Sequence, residues 1–250
     1  MRRLHGRLHE FQKEAEGAQV AISRHHVKIG FDEFEYGIYK RRLLEGQPED
    51  TDDWKTGHPM VFPTILAVGN VSDALRMHAF QIRVPMDDTH TLHLWYHVIA
   101  PPPDLEIPEH LANAVHTYDV PYQDERGQYL LDSIHAQDIM AWITQGPIAD
   151  RSLEALGTTD RGVTTYRNML RRELKRVENG EDPMNVFRDA DAIGSRIDLE
   201  PKIGSRMTFG GGRELFHKGY YQDDADRYGP ATELAANLMQ RAEEAHAQSS

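Results

Sequence analysis

Not one of the 250 residues is a cysteine. This excludes disulfides, thiolate zinc sites, a cysteine nucleophile and any cysteine-ligated iron–sulfur cluster carried by these residues. Metal chemistry, where present, must use histidine and carboxylate. Positive charge is also scarce: 28 Lys and Arg face 40 Asp and Glu, for a net charge of −12. Basic patches supply most non-specific affinity for nucleic acid and anionic membranes, so neither is an expected partner. No apolar run approaches the roughly 20 residues of a membrane span, and Met1-Arg2-Arg3-Leu4-His5 opens no apolar signal core. A cytoplasmic globule is the expectation. There is no internal repeat and no low-complexity segment.

What is present suffices for a core, since 39% of the residues are apolar and the length fits one large domain or two small ones. Leu4, Leu8 and Phe11 stand at helical spacing before Gly17, which predicts a short amphipathic helix over 1–16. From Val27 the apolar period drops to two. Val27, Ile29 and Phe31, then Phe34, Tyr36 and Ile38, predict two strands with a turn or bulge at Asp32-Glu33. Residues 45–58 are acidic and aperiodic, as a surface connection would be. Three further strands are predicted at Val61–Val68, Met77–Val84 and Thr91–Ile99, which together fit an antiparallel meander. Pro101-Pro102-Pro103 then ends strand structure, because proline cannot donate to a ladder.

The second half reads as helical. Thr159 or Asp160 caps a predicted helix with apolar positions at Val163, Tyr166, Met169, Leu170, Leu174 and Val177, closed by Gly180 and Pro183. A glycine-bearing stretch from Gly204 to Gly212 precedes a last amphipathic helix over Ala231–Ala245. Strands in one block followed by a long helix predict an α+β domain with an antiparallel sheet covered by helices.

Between these halves, residues 137–160 (QDIMAWITQGPIADRSLEALGTTD) place isolated carboxylates, a tryptophan and Gly-Pro in an otherwise apolar context. A buried carboxylate needs a partner or a metal. By local physics alone Asp138 reads first as a helix N-terminal acid held by free amides, and second as a metal ligand.

Gln137-Asp138, Trp142, Gln145-Gly146-Pro147-Ile148, Asp150-Arg151-Ser152, Leu156-Gly157, Asp160, Gly162-Val163 and Arg167 resemble, at fixed spacing, the signature of Rieske non-haem iron aromatic ring-hydroxylating oxygenase large subunits. The resemblance is to the phthalate-dioxygenase-like branch, within the group of dehydrodivanillate O-demethylase oxygenase components and phenylpropionate-type ring hydroxylases. It extends upstream through Phe31–Glu45, Gly57-His58-Pro59 and Phe80–Tyr96. It implies a helix-grip fold, an antiparallel sheet wrapped on the long helix near 159–179, with a substrate cavity between them. It also implies that Asp138 is the carboxylate of a two-histidine, one-carboxylate Fe(II) site at the cavity mouth. In that family the histidines lie in an Asp-Pro-x-His-x4-His pattern closed by Leu-His-Gly. Leu4-His5-Gly6 matches the ending, which makes His5 the second histidine; the first would fall one position ahead of Met1.

Such a triad leaves positions on Fe(II) open for dioxygen and substrate, with electrons arriving singly from a Rieske [2Fe–2S] cluster. By this resemblance residues 1–250 are the catalytic domain, and the Rieske domain belongs only to a full-length protein. The implied partners are an aromatic substrate, dioxygen and a reductase or ferredoxin, in a homotrimer. The implied reaction is hydroxylation of an aromatic compound or O-demethylation of a methoxyarene. Two alternatives stand beside it: a non-catalytic helix-grip module that binds small molecules, and an inactive fragment.

Other patterns read as structural. Asp87-Asp88-Thr89-His90-Thr91-Leu92-His93 has the composition of a metal cluster, but strand alternation sets His90 and His93 on opposite faces, so a hairpin is expected. His25-His26 are expected to point apart in the same way. Gly210-Gly211-Gly212-Arg213 lacks the lysine and hydroxyl of a phosphate loop. Trp95-Tyr96 and Tyr220-Tyr221 are core candidates before they are pocket candidates. His135, three residues before Asp138, is placed in a polar network near the metal.

Overall fold

A computed structural model describes residues 25–71, 76–100, 119–130 and 134–189, with a few single positions besides. The readings at His5 and at 1–16, 101–103, 204–213, 220–221 and 231–245 lie outside the described residues. Six strands follow in order: β1 (His26–Phe34), β2 (Gly37–Leu44), β3 (His58–Val61), β4 (Ile65–Val71), β5 (Arg76–Pro85) and β6 (Thr91–Ala100). Each pairs antiparallel with the next, so the sheet is the expected meander, open at β1 and β6. Three helices accompany it among the described residues: α1 (Asp52–Lys55), α2 (Ile134–Ile143) and α3 (Arg161–Glu178). This is the predicted α+β architecture of the helix-grip kind.

Two strand boundaries differ from the prediction. Asp32 and Glu33 lie inside β1, and the chain turns instead at Glu35-Tyr36, where Phe34 pairs with Gly37. The apolar period ran through the turn because Tyr36 continues the alternation of Phe34 and Ile38. The stretch Val61–Val68 is two strands, divided at Phe62-Pro63, a cis bond, and Thr64. Phe62 is buried there, so an apolar residue in a turn mimicked strand continuity.

The acidic connection over 45–58 is less superficial than its composition. It contains α1, and Asp53 is buried between Arg42, at 3.4 Å from guanidinium Nε, and His58, at 3.3 Å from imidazole Nε2. A buried carboxylate beside a guanidinium and an imidazole has the pairing that burial demands.

The register creates one continuous row across the sheet. Glu33 pairs with Ile38, Ile38 with Met60, Met60 with Leu66, Leu66 with Gln81, and Gln81 with Trp95. Alternation puts all six on one face, and Phe31, Arg83 and His93 with them. At the β1–β3 end this face meets α3, where Ile38, Phe62 and Met169 form a buried cluster flanked by Phe31, Met60, Tyr166, Leu170 and Met184. At the β5–β6 end it meets α2. On the opposite face Val84, Leu92, Leu94, Tyr96 and Val98 are exposed.

The long helix begins and ends near its predicted bounds, but its inward stripe differs. Met169 and Glu173 are the buried positions, whereas Val163, Leu174 and Val177 are exposed. Gly162 explains the rotation. A Cβ there would lie 2.3 Å from the Phe31 ring, so glycine lets the first turn approach β1. The buried Glu173 is satisfied by the Met184 N–H at 2.8 Å and by Arg172 and Arg176, which anchors the segment after Gly180. Burial pushes its pKa up, but these donors prevail and hold it below the usual carboxylate range. At the other end, Asp160 occupies the predicted N-cap position, yet its carboxylate accepts from the Gly157 N–H at 2.9 Å rather than from a helix amide.

Candidate active site

Asp138 is not a helix N-terminal acid. It is the fifth residue of the ten-residue α2, a position with an intrahelical partner for its amide, and the first turn of α2 carries no acid. The local reading failed because the apolar run was taken to begin at Ile139, whereas the helix starts one turn earlier at Ile134. This moves the explanation of Asp138 from capping to what its side chain faces.

Helical spacing answers that. His135, Asp138 and Trp142 stand at i, i+3 and i+7, one face of α2. His135 meets the Trp95 ring edge-on at 4.6 Å, and Trp142 stacks on His93 at 4.5 Å and on Trp95 at 5.8 Å. His93 and Trp95 themselves lie 4.2 Å apart. Four rings thus bind α2 to β6, and Asp138, half-buried, lies on the same helix face between its two ring contacts.

Opposite Asp138 stands Arg83 of β5, paired across the ladder with His93. Its Cζ is 5.9 Å from the Trp142 ring centroid, and Nη2 donates to Gln81 Oε1 at 2.7 Å. Partial burial lowers its pKa, while the charges of Asp138 on α2 and Tyr166 on α3 act the other way. Both helices therefore face this arginine. Burial pushes His93 down to about 4, aided by the Arg83 charge and opposed by Asp138, so its imidazole is neutral at pH 7. Burial likewise raises the Tyr166 phenol, which donates to the Pro63 carbonyl at 3.1 Å.

The remaining residues of the motif around Asp138 build the connection from α2 to α3. Gly146 takes φ +86, which glycine adopts without strain, and closes α2 through a hydrogen bond from its N–H to Ile143 O. The Asp150 carboxylate accepts from the Ser152 amide and hydroxyl at 2.9 and 2.6 Å. Arg167 donates to both oxygens of Glu154 at 2.7 and 2.8 Å. These contacts fix how the helix bearing Asp138 and the helix bearing Tyr166 are joined.

The other predicted candidates are kept apart by the hairpin, though by its turn rather than by strand alternation. His90 lies in the turn before β6 with Nδ1 2.9 Å from Asp87, while His93 points at the helices. Trp95 belongs to the ring cluster and Tyr96 is exposed on the opposite face. Sequence reasoning missed Arg83 and gave His93 no part. The signal that finds them is the shared strand phase of Gln81, Arg83, His93 and Trp95, which becomes visible once β5 and β6 are taken in register. Among the described residues no group of three or more His, Cys, Asp or Glu is placed to hold a metal ion, so they offer Asp138 as a single carboxylate donor.

Residues 123–193, which span α2 and α3, match the family described as LigXa C-terminal domain like. Over 189 residues the chain is 29% identical to the 5,5'-dehydrodivanillate O-demethylase oxygenase subunit of Sphingobium sp. (strain NBRC 103272 / SYK-6), covering 76% of this chain and 42% of that protein. Over 61 residues it is 43% identical to the phthalate 4,5-dioxygenase oxygenase subunit of Pseudomonas putida, covering 24% of this chain and 13% of that protein. The chain thus spans less than half the length of either relative. Sequence, fold and these matches agree that the chain is homologous to the C-terminal domain of Rieske-type oxygenase subunits.

Proposed function

We propose that residues 1–250 are the catalytic domain of a terminal oxygenase that hydroxylates or O-demethylates an aromatic substrate. The observation that carries this reading is Asp138: a half-buried carboxylate in mid-helix rather than at a cap, on the α2 face whose His135 and Trp142 meet the rings of β6, and close enough to act on Arg83 and His93. Its donor chemistry fits ferrous iron, a hard to borderline ion that takes carboxylate and imidazole ligands. Asp138 supplies the carboxylate and His5 the imidazole; the further histidine of such a site is expected from sequence ahead of Met1. When bound, Fe(II) supplies activation of dioxygen for insertion of oxygen into a ring carbon or a methoxy carbon.

The chain's own residues do the rest. Trp95, Trp142 and neutral His93 offer flat surfaces against which an aromatic ring stacks, and they keep water from the reacting position. The motif between α2 and α3 holds Asp138 at a fixed distance from the sheet. Electrons come from a Rieske [2Fe–2S] cluster outside these residues, reduced by a reductase or ferredoxin, in a cytoplasmic homotrimer. Among the described residues no helix is long and apolar enough to cross a membrane.

Anaerobic loading with Fe(II) tests the reading. Iron that binds at one equivalent per chain and is lost in Asp138→Asn and His5→Ala supports it. The alternative reading is a metal-free module of the same sheet-and-helix fold that binds aromatic molecules. Aromatic binding without Asp138-dependent iron would decide for that module.

A further inference from the structure

His93 brings more to the site than a flat ring. Its imidazole stacks on Trp142 at 4.5 Å and packs against Trp95 at 4.2 Å, on the sheet face that α2 covers. Nε2 lies on the side of an imidazole remote from the backbone, so it is carried away from β6. Among the described residues this nitrogen is buried and has no hydrogen-bond partner. Buried polar atoms are almost always paired, because an unanswered one forfeits its bonds to water and gains none in return. Two neighbouring groups of the same face are engaged: Arg83 Nη2 donates to Gln81 Oε1 at 2.7 Å, and the Tyr166 hydroxyl donates to the Pro63 carbonyl at 3.1 Å. The unmet need therefore sits at His93, in the ring cluster that Trp142 joins one helical turn from Asp138.

The chemistry of the nitrogen limits what answers it. In a neutral imidazole one nitrogen donates and the other accepts, and the tautomer decides which of these Nε2 does. A carboxylate or an ether oxygen answers only the donor form, and an ammonium only the acceptor form. A hydroxyl answers either, since it both donates and accepts. On an aromatic ring the hydroxyl oxygen lies in the ring plane, so a phenol can lie along the tryptophans and still direct its oxygen at Nε2. A neutral phenol is also not repelled by the chain's net charge of −12.

We infer that His93 is a specificity residue of the site: its Nε2 reads a hydroxyl on the aromatic substrate, so that the site selects phenols over the same rings without oxygen. This rests on the proposed placement of the aromatic substrate beside Asp138 and the tryptophans.

Equilibrium binding of phenol and toluene to the metal-free full chain at pH 7, followed by tryptophan fluorescence, tests it. The two probes match in size and differ by a hydroxyl in place of a methyl. Toluene is the more apolar, so a wall of rings alone would favour it. Wild type should instead bind phenol about 10-fold tighter, the scale of leaving one buried polar atom unanswered. His93→Phe keeps a flat ring and removes the nitrogen; it should abolish the preference by weakening phenol, with toluene bound as before or tighter. A second readout in wild type keeps the test decisive if His93→Phe fails to fold: the ¹⁵N resonance of His93 Nε2 should move much further on phenol binding than on toluene binding. Toluene bound as tightly as phenol by wild type, a preference that survives His93→Phe, or an Nε2 resonance that responds equally to both probes overturns the inference while leaving the aromatic site intact. Binding of neither probe overturns both the inference and the aromatic site.

Discussion

Asp138, His93 and Arg83 show how a residue's surroundings decide its chemistry. Each is an ordinary member of its element, and only the closure of α2 onto β5 and β6 brings them together. His93 carries a measurable consequence. Its pKa in the folded chain is about 4, below the ordinary value of 6.5, so between these values the unfolded chain binds the extra proton. Stability from this group is therefore complete above pH 6.5 and is lost as pH falls toward 4. On the order of 1–2 kcal/mol is expected once solvent screening of a half-buried ring is allowed for. Urea unfolding of wild type between pH 7 and 4.5 should show this decline, and His93→Phe, which keeps the ring stack, should flatten it. An unchanged slope in His93→Phe would place the proton elsewhere.

At the scale of elements, the strands were legible because a half-buried sheet writes a period of two into its sequence. The readings failed where an apolar residue served a turn, as at Tyr36 and Phe62. The long helix was legible in extent but not in orientation: Leu174 and Val177 look like core positions, yet the buried ones are Met169 and Glu173. No local pattern announces a buried glutamate whose backbone donor, Met184, comes from the loop eleven residues on. Gly162 sets that orientation, and its role is testable. Alanine is favoured over glycine inside a helix by about 1 kcal/mol. Gly162→Ala should nevertheless destabilise the chain by about 1–3 kcal/mol, because the new methyl overlaps the Phe31 ring. In a Phe31→Ala background the same change should become neutral or stabilising. Equal costs in both backgrounds, read from thermal or urea unfolding, would refute this packing account.

At the scale of the whole molecule, the meander delivers two halves of one face to two helices: β1–β3 to α3, where the buried cluster lies, and β5–β6 to α2, where the proposed site lies. Asp138 was legible as a candidate through the motif around it, since Gly146, Asp150, Gly157, Gly162 and Arg167 each hold the α2–α3 connection in a defined way. Its correct environment was not, because the residues opposite it come from strands some 45–55 positions earlier, and strand phase alone does not say which helix covers which strand. The central claim is that Asp138 binds iron beside the tryptophans of this face. The most direct measurement is anaerobic titration of the full chain with Fe(II), followed by tryptophan fluorescence, since Trp142 stands one helical turn from Asp138. The account predicts saturable quenching at one equivalent per chain that disappears in Asp138→Asn while far-UV circular dichroism is retained. Quenching that is non-saturable, or that is undiminished in Asp138→Asn, would contradict it.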